Sequence, residues 1–379
     1  MKSGLKIVAI NALVLFVLIN AIIWTLCIGN SVRKTLKDNS LIGLSKASRE
    51  SKLPNYAGIK WAKKHFEEYR QQQSEFRSFV GWQREPYSGT TVNVAGPYMQ
   101  RRTVGRSDTE MPTVYFFGGS TMWGVGSDDA STIPSQFSRL SGSAAENFGD
   151  IAFTAHQGLV LLIQLLQDGH RPDVVVFYDG ANEIAHKCRV ELTAWSHLAE
   201  PKLTSALELR KAGAGGMSLA YLLRPLWAVA QSVVRQVPAL GGYKQNYECH
   251  TNPRKAQKIA ENLMQDWSIA RRLVESYGGK FVGVLQPVAF FSDTKLDHIE
   301  IKKRKGLLSK QFEIVYPIIR AKMREYKNVY DFSDSLDHPE YMYIDFCHLS
   351  PNGNRYLAEK VVQIVQDERH QALLGSRMN

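Results

Sequence analysis

From residue 112 to residue 369 the chain alternates between two patterns. Short apolar runs fall at Thr113–Phe117, Ala144–Phe148, Val174–Tyr178, Phe281–Gln286 and Val329–Phe332, and each reads as a buried strand. Between them, residues 130–141, 156–168, 254–277, 303–326 and 351–369 predict helices. Strands that alternate with helices pair in parallel and are covered on both faces. The expected fold class is therefore α/β, a flavodoxin-like, doubly wound, mostly five-stranded parallel sheet.

Outside that body the pattern changes twice. Ile7 to Ile28 is a nearly uncharged apolar run of 22 residues, long enough to cross a bilayer as a helix. Its apolar core is longer than that of a cleaved signal peptide and has no clear small-residue cleavage site, so a retained signal anchor is expected over residues 1–30. Residues 31–110 read as a connecting region. Ile59, Ala62, Phe66, Tyr69 and Phe76 give 59–79 helical spacing, and Val80 to Val104 reads as short strands and turns punctuated by Pro86, Gly89, Gly96 and Pro97. The α/β body is expected over 111–370, with 371–379 as a tail. Within it, 188–252 is too long for a simple connection and reads as a mainly helical insertion or lid, Leu219 to Val237 being its apolar stretch.

Charge sharpens this division. Residues 1–107 hold 17 Lys/Arg and 6 Asp/Glu, so the whole net charge of +11 sits in the N-terminal flank and the body is neutral. Anionic lipid or an acidic polymer suits such a flank, as does a plain solvated face. No recognised nucleic-acid-binding motif accompanies the charge, so nucleic acid is not expected as a partner. Lys2 and Lys6 precede the apolar run while Arg33, Lys34 and Lys37 follow it, so the charge bias leaves its orientation open. Four cysteines are too few for a disulfide scaffold. Cys188 and Cys249 flank the insertion and could pair in an oxidising compartment, and two free thiols fit the spacing equally well. No metal-ligand spacing occurs, and neither a metal nor a cofactor is expected.

The chemistry gathers around Val114-Tyr-Phe-Phe-Gly-Gly-Ser-Thr-Met-Trp-Gly124. A buried strand ending in Gly118-Gly119 delivers Ser120 to the carboxyl edge of the sheet, where ligands of open α/β folds bind. A helix N-terminus there favours an oxyanion. Three later segments end at the same edge: Glu146-Asn147-Phe148-Gly149-Asp150, Tyr178-Asp179-Gly180-Ala181-Asn182-Glu183, and Asp345-Phe346-Cys347-His348 before the last helix. A serine hydroxyl needs an imidazole to take its proton, and a carboxylate on the other ring nitrogen fixes the tautomer. Ser120, His348 and Asp345 are thus candidate nucleophile, base and orienting acid. The N–H groups of Ser120 and Gly149 and the Asn182 amide are candidate oxyanion donors.

These four blocks, in this order over residues 112–368, resemble the SGNH (GDSL-type) hydrolase superfamily. The resemblance implies the SGNH hydrolase fold and the same roles for Ser120, Gly149, Asn182, Asp345 and His348. The first block reads Gly-Gly-Ser-Thr in place of Gly-Asp-Ser-Leu, and Glu183 stands where the family often has Asp. Gly81-Trp82-Gln83-Arg84 and Val92-Asn93-Val94 upstream resemble an anchored branch associated with bacterial envelope polysaccharides, which implies a periplasmic or extracytoplasmic body.

Gly118, Gly119, Gly124 and Gly126 suggest a phosphate loop only weakly, because no Gly-Lys-Ser/Thr follows them. Met122 breaks the Gly-x-Ser-x-Gly elbow of the α/β-hydrolases. His156, His170 and His186 read as packing or surface residues. The function expected is that of a serine esterase or O-acetyltransferase acting on acyl esters of an envelope carbohydrate through an acyl-enzyme. The alternatives are a non-catalytic polysaccharide-binding or assembly component retaining the fold, and a lipid-directed esterase near the bilayer.

Overall fold

The Val114–Gly118 run is buried at every position, as a strand covered on both faces requires. In the computed structural model of the protein the described residues are 49–105, 111–213, 246–299 and 306–376, with Asn11, Val14 and Leu15 helical. They belong to two units, Lys46–Glu200 with Asn246–Asn379, and Met1–Ser45 with Pro201–Gln245. The described part of the second unit is the helix Glu200–Gly213 from its second residue, Pro201, onward, together with Asn11, Val14 and Leu15. The rest of the predicted anchor and the Leu219–Val237 stretch lie outside the described residues. Among the described residues no helix is long and apolar enough to cross a membrane.

In the larger unit the strands are β1 (Ser74–Arg77), β2 (Gly81–Arg84), β3 (Tyr87–Ser88), β4 (Asn93–Ala95), β5 (Gln100–Arg101), β6 (Val114–Gly118), β7 (Ala145–Asn147), β8 (Val174–Asp179), β9 (Lys280–Leu285) and β10 (Val329–Asp331). The main sheet has the order β10-β9-β8-β6-β7-β5-β4-β3, and β1 pairs with β2 as a separate hairpin. The five strands from β10 to β7 are parallel, and β5, β4 and β3 continue the sheet antiparallel. The expectation of a mostly five-stranded parallel sheet is therefore corrected to an eight-stranded mixed one. The added strands have two or three residues each, too few for alternation to appear in sequence, and they cover the edge that β7 would otherwise expose.

Alternation along β6 splits the core. Tyr115 and Phe117 join Val175, Phe177 and Phe281 on one face, while Val114 and Phe116 join Val176, Tyr178 and Val282 on the other. Helix α1 (Ala62–Gln71) precedes the sheet, and α2 (Ser120–Trp123), α3 (Ile133–Ser141), α4 (Ala155–Gln167), α5 (Ala181–Lys187), α7 (Pro253–Glu275), α8 (Leu307–Met323) and α9 (Pro351–Ser376) follow in order, with Glu200–Gly213 as α6. Leu159, Leu162 and Leu165 of α4, Ile259 and Leu263 of α7 and Phe312 of α8 pack on the first face. Ile133 and Phe137 of α3 and Leu357 and Val361 of α9 pack on the second. This is the doubly wound arrangement.

Two local features complete the frame. The predicted helix 59–79 ends at Gln71, and Phe76 lies in β1 opposite Trp82 with 66% of its surface exposed, so its helical spacing reflected no buried face. Cys188 and Cys249 form a disulfide across the stems of the insertion, where Arg189 also bridges to Tyr247 and Lys255 Nζ binds the Arg189 carbonyl at 2.7 Å.

The buried Glu68 of α1 ties that helix to the turn between β3 and β4. Its carboxylate accepts the N–H groups of Thr90 (2.8 Å), Thr91 (2.8 Å) and Val92 (3.1 Å) and the Thr91 hydroxyl (2.6 Å). Burial resists its charge, but the Thr91 hydroxyl and the three N–H donors outweigh burial and lower its pKa. A depressed carboxylate stabilises the fold above its unfolded pKa, and that stabilisation is lost as pH falls through the folded one. Glu68→Gln should therefore lower the unfolding free energy at pH 7 by about 2 kcal/mol, the scale of charge-assisted bonds, and remove part of the acid destabilisation. Urea melts at several pH values measure both.

Candidate active site

Two glycines bring Ser120 to the sheet edge. Gly118 has φ +155°, and a Cβ there would meet the Tyr178 carbonyl at 2.5 Å. A Cβ on Gly119 would sit 2.2 Å from Asn182 Nδ2, so only glycine lets the end of β6 pass the start of α5. Ser120 then opens α2, and its N–H, as the first of the helix, has no intrahelical acceptor.

Asp345 and His348 meet that serine from the loop before α9. His348 Nε2 lies 2.7 Å from Ser120 Oγ, and His348 Nδ1 lies 2.7 Å from Asp345 Oδ2. The other carboxylate oxygen accepts the backbone N–H groups of Cys347 and His348, both at 2.9 Å, which fixes the turn that aims the ring. The Cys347 carbonyl accepts the Thr121 hydroxyl at 3.0 Å, tying this loop to α2. A carboxylate can only accept, so the proton of neutral His348 sits on Nδ1 and Nε2 is left to accept from Ser120. The His348 and Asp345 side chains stay 17% and 29% exposed, while Ser120 is buried at 7%.

The electrostatics follow from the pairing. Burial opposes the charge on Asp345, but the His348 ring and the two N–H donors hold its carboxyl well below the usual range. Burial likewise opposes protonated His348, yet the Asp345 charge and its hydrogen bond raise the pKa well above that of an ordinary histidine.

The expected oxyanion donors are distributed differently from the sequence reading. Asn182 Nδ2 donates to the Phe153 carbonyl at 2.7 Å, which fixes the amide and leaves it a second N–H. The Gly149 N–H does not stand free; it donates to Asn147 Oδ1 at 3.0 Å. Gly149 instead lets the chain pack against α2, since a Cβ would meet the Trp123 nitrogen at 2.7 Å. Two expected donors, Ser120 N–H and the Asn182 amide, therefore have a hydrogen left for an oxyanion.

Several further residues shape the site, and one of them, Arg101, lies outside every sequence block. Asn147 Nδ2 holds the Met122 carbonyl at 3.0 Å. The fully buried Arg101 donates to the carbonyls of Trp123 (3.0 Å), Gly124 (2.8 Å), Thr91 (3.3 Å) and Ser127 (2.6 Å), pairs with Asp129 (3.1 Å) and lies 4.3 Å from the centre of the Trp123 ring. Glu183 accepts Ala155 N–H at 2.7 Å and Gly180 N–H at 2.8 Å, joining the starts of α4 and α5. Its extra methylene over aspartate helps it span two helix starts. His156 pairs with Asp266 and His170 with the Tyr115 hydroxyl, each at 2.9 Å, and burial depresses His186 to about 4. Among the described residues, the ligating atoms nearest to a metal cluster belong to Asp345, Cys347 and His348, within 4.8 Å of one another. All three are already linked through His348 Nδ1, which meets Asp345 Oδ2 at 2.7 Å and Cys347 Sγ at 3.8 Å.

No family profile matches the sequence, and no curated protein matches it. Among solved structures, the chain is similar to a member of the lipolytic protein G-D-S-L family from Veillonella parvula, at 12% identity and a TM-score of 0.38 over 66% of this chain and 96% of that one. It is also similar to a carbohydrate acetylesterase family member from Sinorhizobium meliloti, at 16% identity and 0.35 over 68% and 98%. Superpositions this loose assign neither fold nor activity to this chain, which rest on its own sheet and side chains.

Only neutral His348 can take the serine proton. With its pKa raised, kcat/KM for an ester such as p-nitrophenyl acetate should climb with pH through a midpoint above about 6.5, the ordinary histidine value. Asp345→Asn should lower kcat by roughly 10⁴ and shift that midpoint down. A pH–rate series on both proteins measures each effect.

Proposed function

We propose that this chain is an SGNH-type serine esterase or O-acyltransferase. The observation that carries the reading is the unbroken chain from Ser120 Oγ through His348 to Asp345, with both links at 2.7 Å. Ser120 Oγ bonds the acyl carbon as its proton passes to His348 Nε2, and the carbonyl oxygen becomes an oxyanion facing the Ser120 N–H and the Asn182 amide. Collapse breaks the ester C–O bond, and the leaving alkoxide takes the proton from Nε2. In the second half, water or an acceptor hydroxyl gives its proton to Nε2 and attacks the acyl-enzyme. Carboxylic acid or a new ester leaves, and the proton returns to Ser120 Oγ. The hydroxyl that wins depends on how well the site excludes water.

The substrate we propose is an O-acetyl ester of an envelope carbohydrate, with the body held at the outer face of a membrane by residues 7–28. Three features support this: the apolar run itself, the upstream Gly81–Arg84 and Val92–Val94 blocks, and the Cys188–Cys249 pair, which suits an oxidising compartment. The basic flank would face anionic lipid or an acidic polymer.

The full-length chain in detergent, given acetylated oligosaccharide and an unacetylated acceptor, should release acetate or acetylate the acceptor. Ser120→Ala should abolish either outcome, and mass spectrometry should find an acetyl adduct on Ser120. A chain without serine-dependent turnover or adduct would be a carbohydrate-binding component instead. Turnover restricted to long acyl chains would make it a lipid-directed esterase.

A further inference from the structure

The loop that aims Asn182 starts at Asp150, the last residue of the second block, and is held by a strand far upstream in the chain. Residues 149–153 leave β7 and turn sharply before α4. The Asp150 N–H donates to the Gly118 carbonyl at 3.1 Å, and the Phe153 N–H to the Asp150 carbonyl at 3.3 Å. Ala152 has φ +64°, a left-handed conformation that costs a non-glycine residue on the order of 1 kcal/mol. The loop ends at the Phe153 carbonyl, which accepts one of the two Asn182 side-chain N–H groups. Backbone held in such a conformation persists when its surroundings over-determine it.

Those surroundings are strand β2, from the upstream Gly81-Trp82-Gln83-Arg84 block. The Arg84 backbone N–H donates to Asp150 Oδ2 at 2.8 Å, while Asp150 Oδ1 accepts the Ile151 N–H at 2.6 Å. Trp82 Nε1 donates to the Ile151 carbonyl at 2.9 Å. The Trp82 ring lies edge-on to Phe153 at 6.0 Å, with His197 on it at 5.4 Å. Both ends of the strained turn are thus gripped by one strand, and its last carbonyl sets the amide beside Gly119.

We propose that Trp82 and Asp150 are positioning residues for the oxyanion site, holding loop 149–153 so that the Phe153 carbonyl aims the Asn182 amide at the developing oxyanion. The inference rests on the esterase reading of Ser120. Neither residue touches the reacting atoms. Their effect reaches chemistry through one hydrogen bond, so it should fall on the transition state more than on substrate binding.

The test uses the full-length chain with Trp82→Phe, which keeps a ring against Phe153 and loses the indole donor, and Asp150→Asn, which keeps the shape and loses the charge. For p-nitrophenyl acetate each should lower kcat about tenfold, within the cost of a small misplacement, and leave KM within about twofold. Affinity for a trifluoromethyl ketone, whose adduct places an oxyanion in the site, should fall in step with kcat. In an Asn182→Ala background the Trp82→Phe change should have little further effect, because the group it positions is gone. An undiminished kcat, with or without a lower Tm, would overturn the inference and leave the esterase reading standing. An effect of full size in the Asn182→Ala background would do the same. A parent chain without serine-dependent turnover would overturn both.

Discussion

A helix of four residues cannot hold itself, because too few internal hydrogen bonds offset the cost of fixing its backbone. The turn Ser120–Trp123 that presents the candidate nucleophile is such a helix, and its shape comes from partners elsewhere in the chain. Asn147 takes the Met122 carbonyl, and Arg101 takes those of Trp123 and Gly124 while lying over the Trp123 ring. An unpaired buried guanidinium would be strongly destabilising. Arg101 is tolerated because its donors meet four carbonyls and a carboxylate, so the charge and the helix end satisfy one another.

That dependence explains why the antiparallel edge belongs to the body. Strand β5 carries Arg101 and pairs with β7 at Asn147, so the two residues that clamp α2 face each other across one register position. Glu68, Thr91 and Asp129 brace the same corner, with Asp129 reaching both Arg101 and the Asn93 backbone. Shifting β5 by one residue would turn Arg101 to the other face and leave α2 unsupported.

The same dependence on distant partners holds around the candidate oxyanion donors. Glu183 joins two helix starts, the Phe153 carbonyl orients Asn182, and Asn147 holds both Gly149 and α2. The groups proposed to meet substrate are few. Most of the site's polar side chains orient backbone segments, which is how an electrostatic site is built before the reaction needs it.

Sequence by itself determined what depends on neighbours a few residues apart. The apolar runs marked the five parallel strands, Gly118-Gly119 marked the turn into Ser120, and the spacing from Asp345 to His348 already implied that one carboxylate could hold the ring. The tertiary structure decided what depends on residues brought together from distant positions. Nothing near Arg101 in sequence reveals the carbonyls it collects, the two-residue strands carry no period, and the spacing of Phe76 fitted a helix although its side chain is exposed. The Gly149 N–H was expected to be free because glycine permits close approach, yet only the folded chain shows Asn147 already accepting it. Periodicity records which side of an element is buried; hydrogen-bond partners across a sheet edge depend on register, and register is set by the whole core.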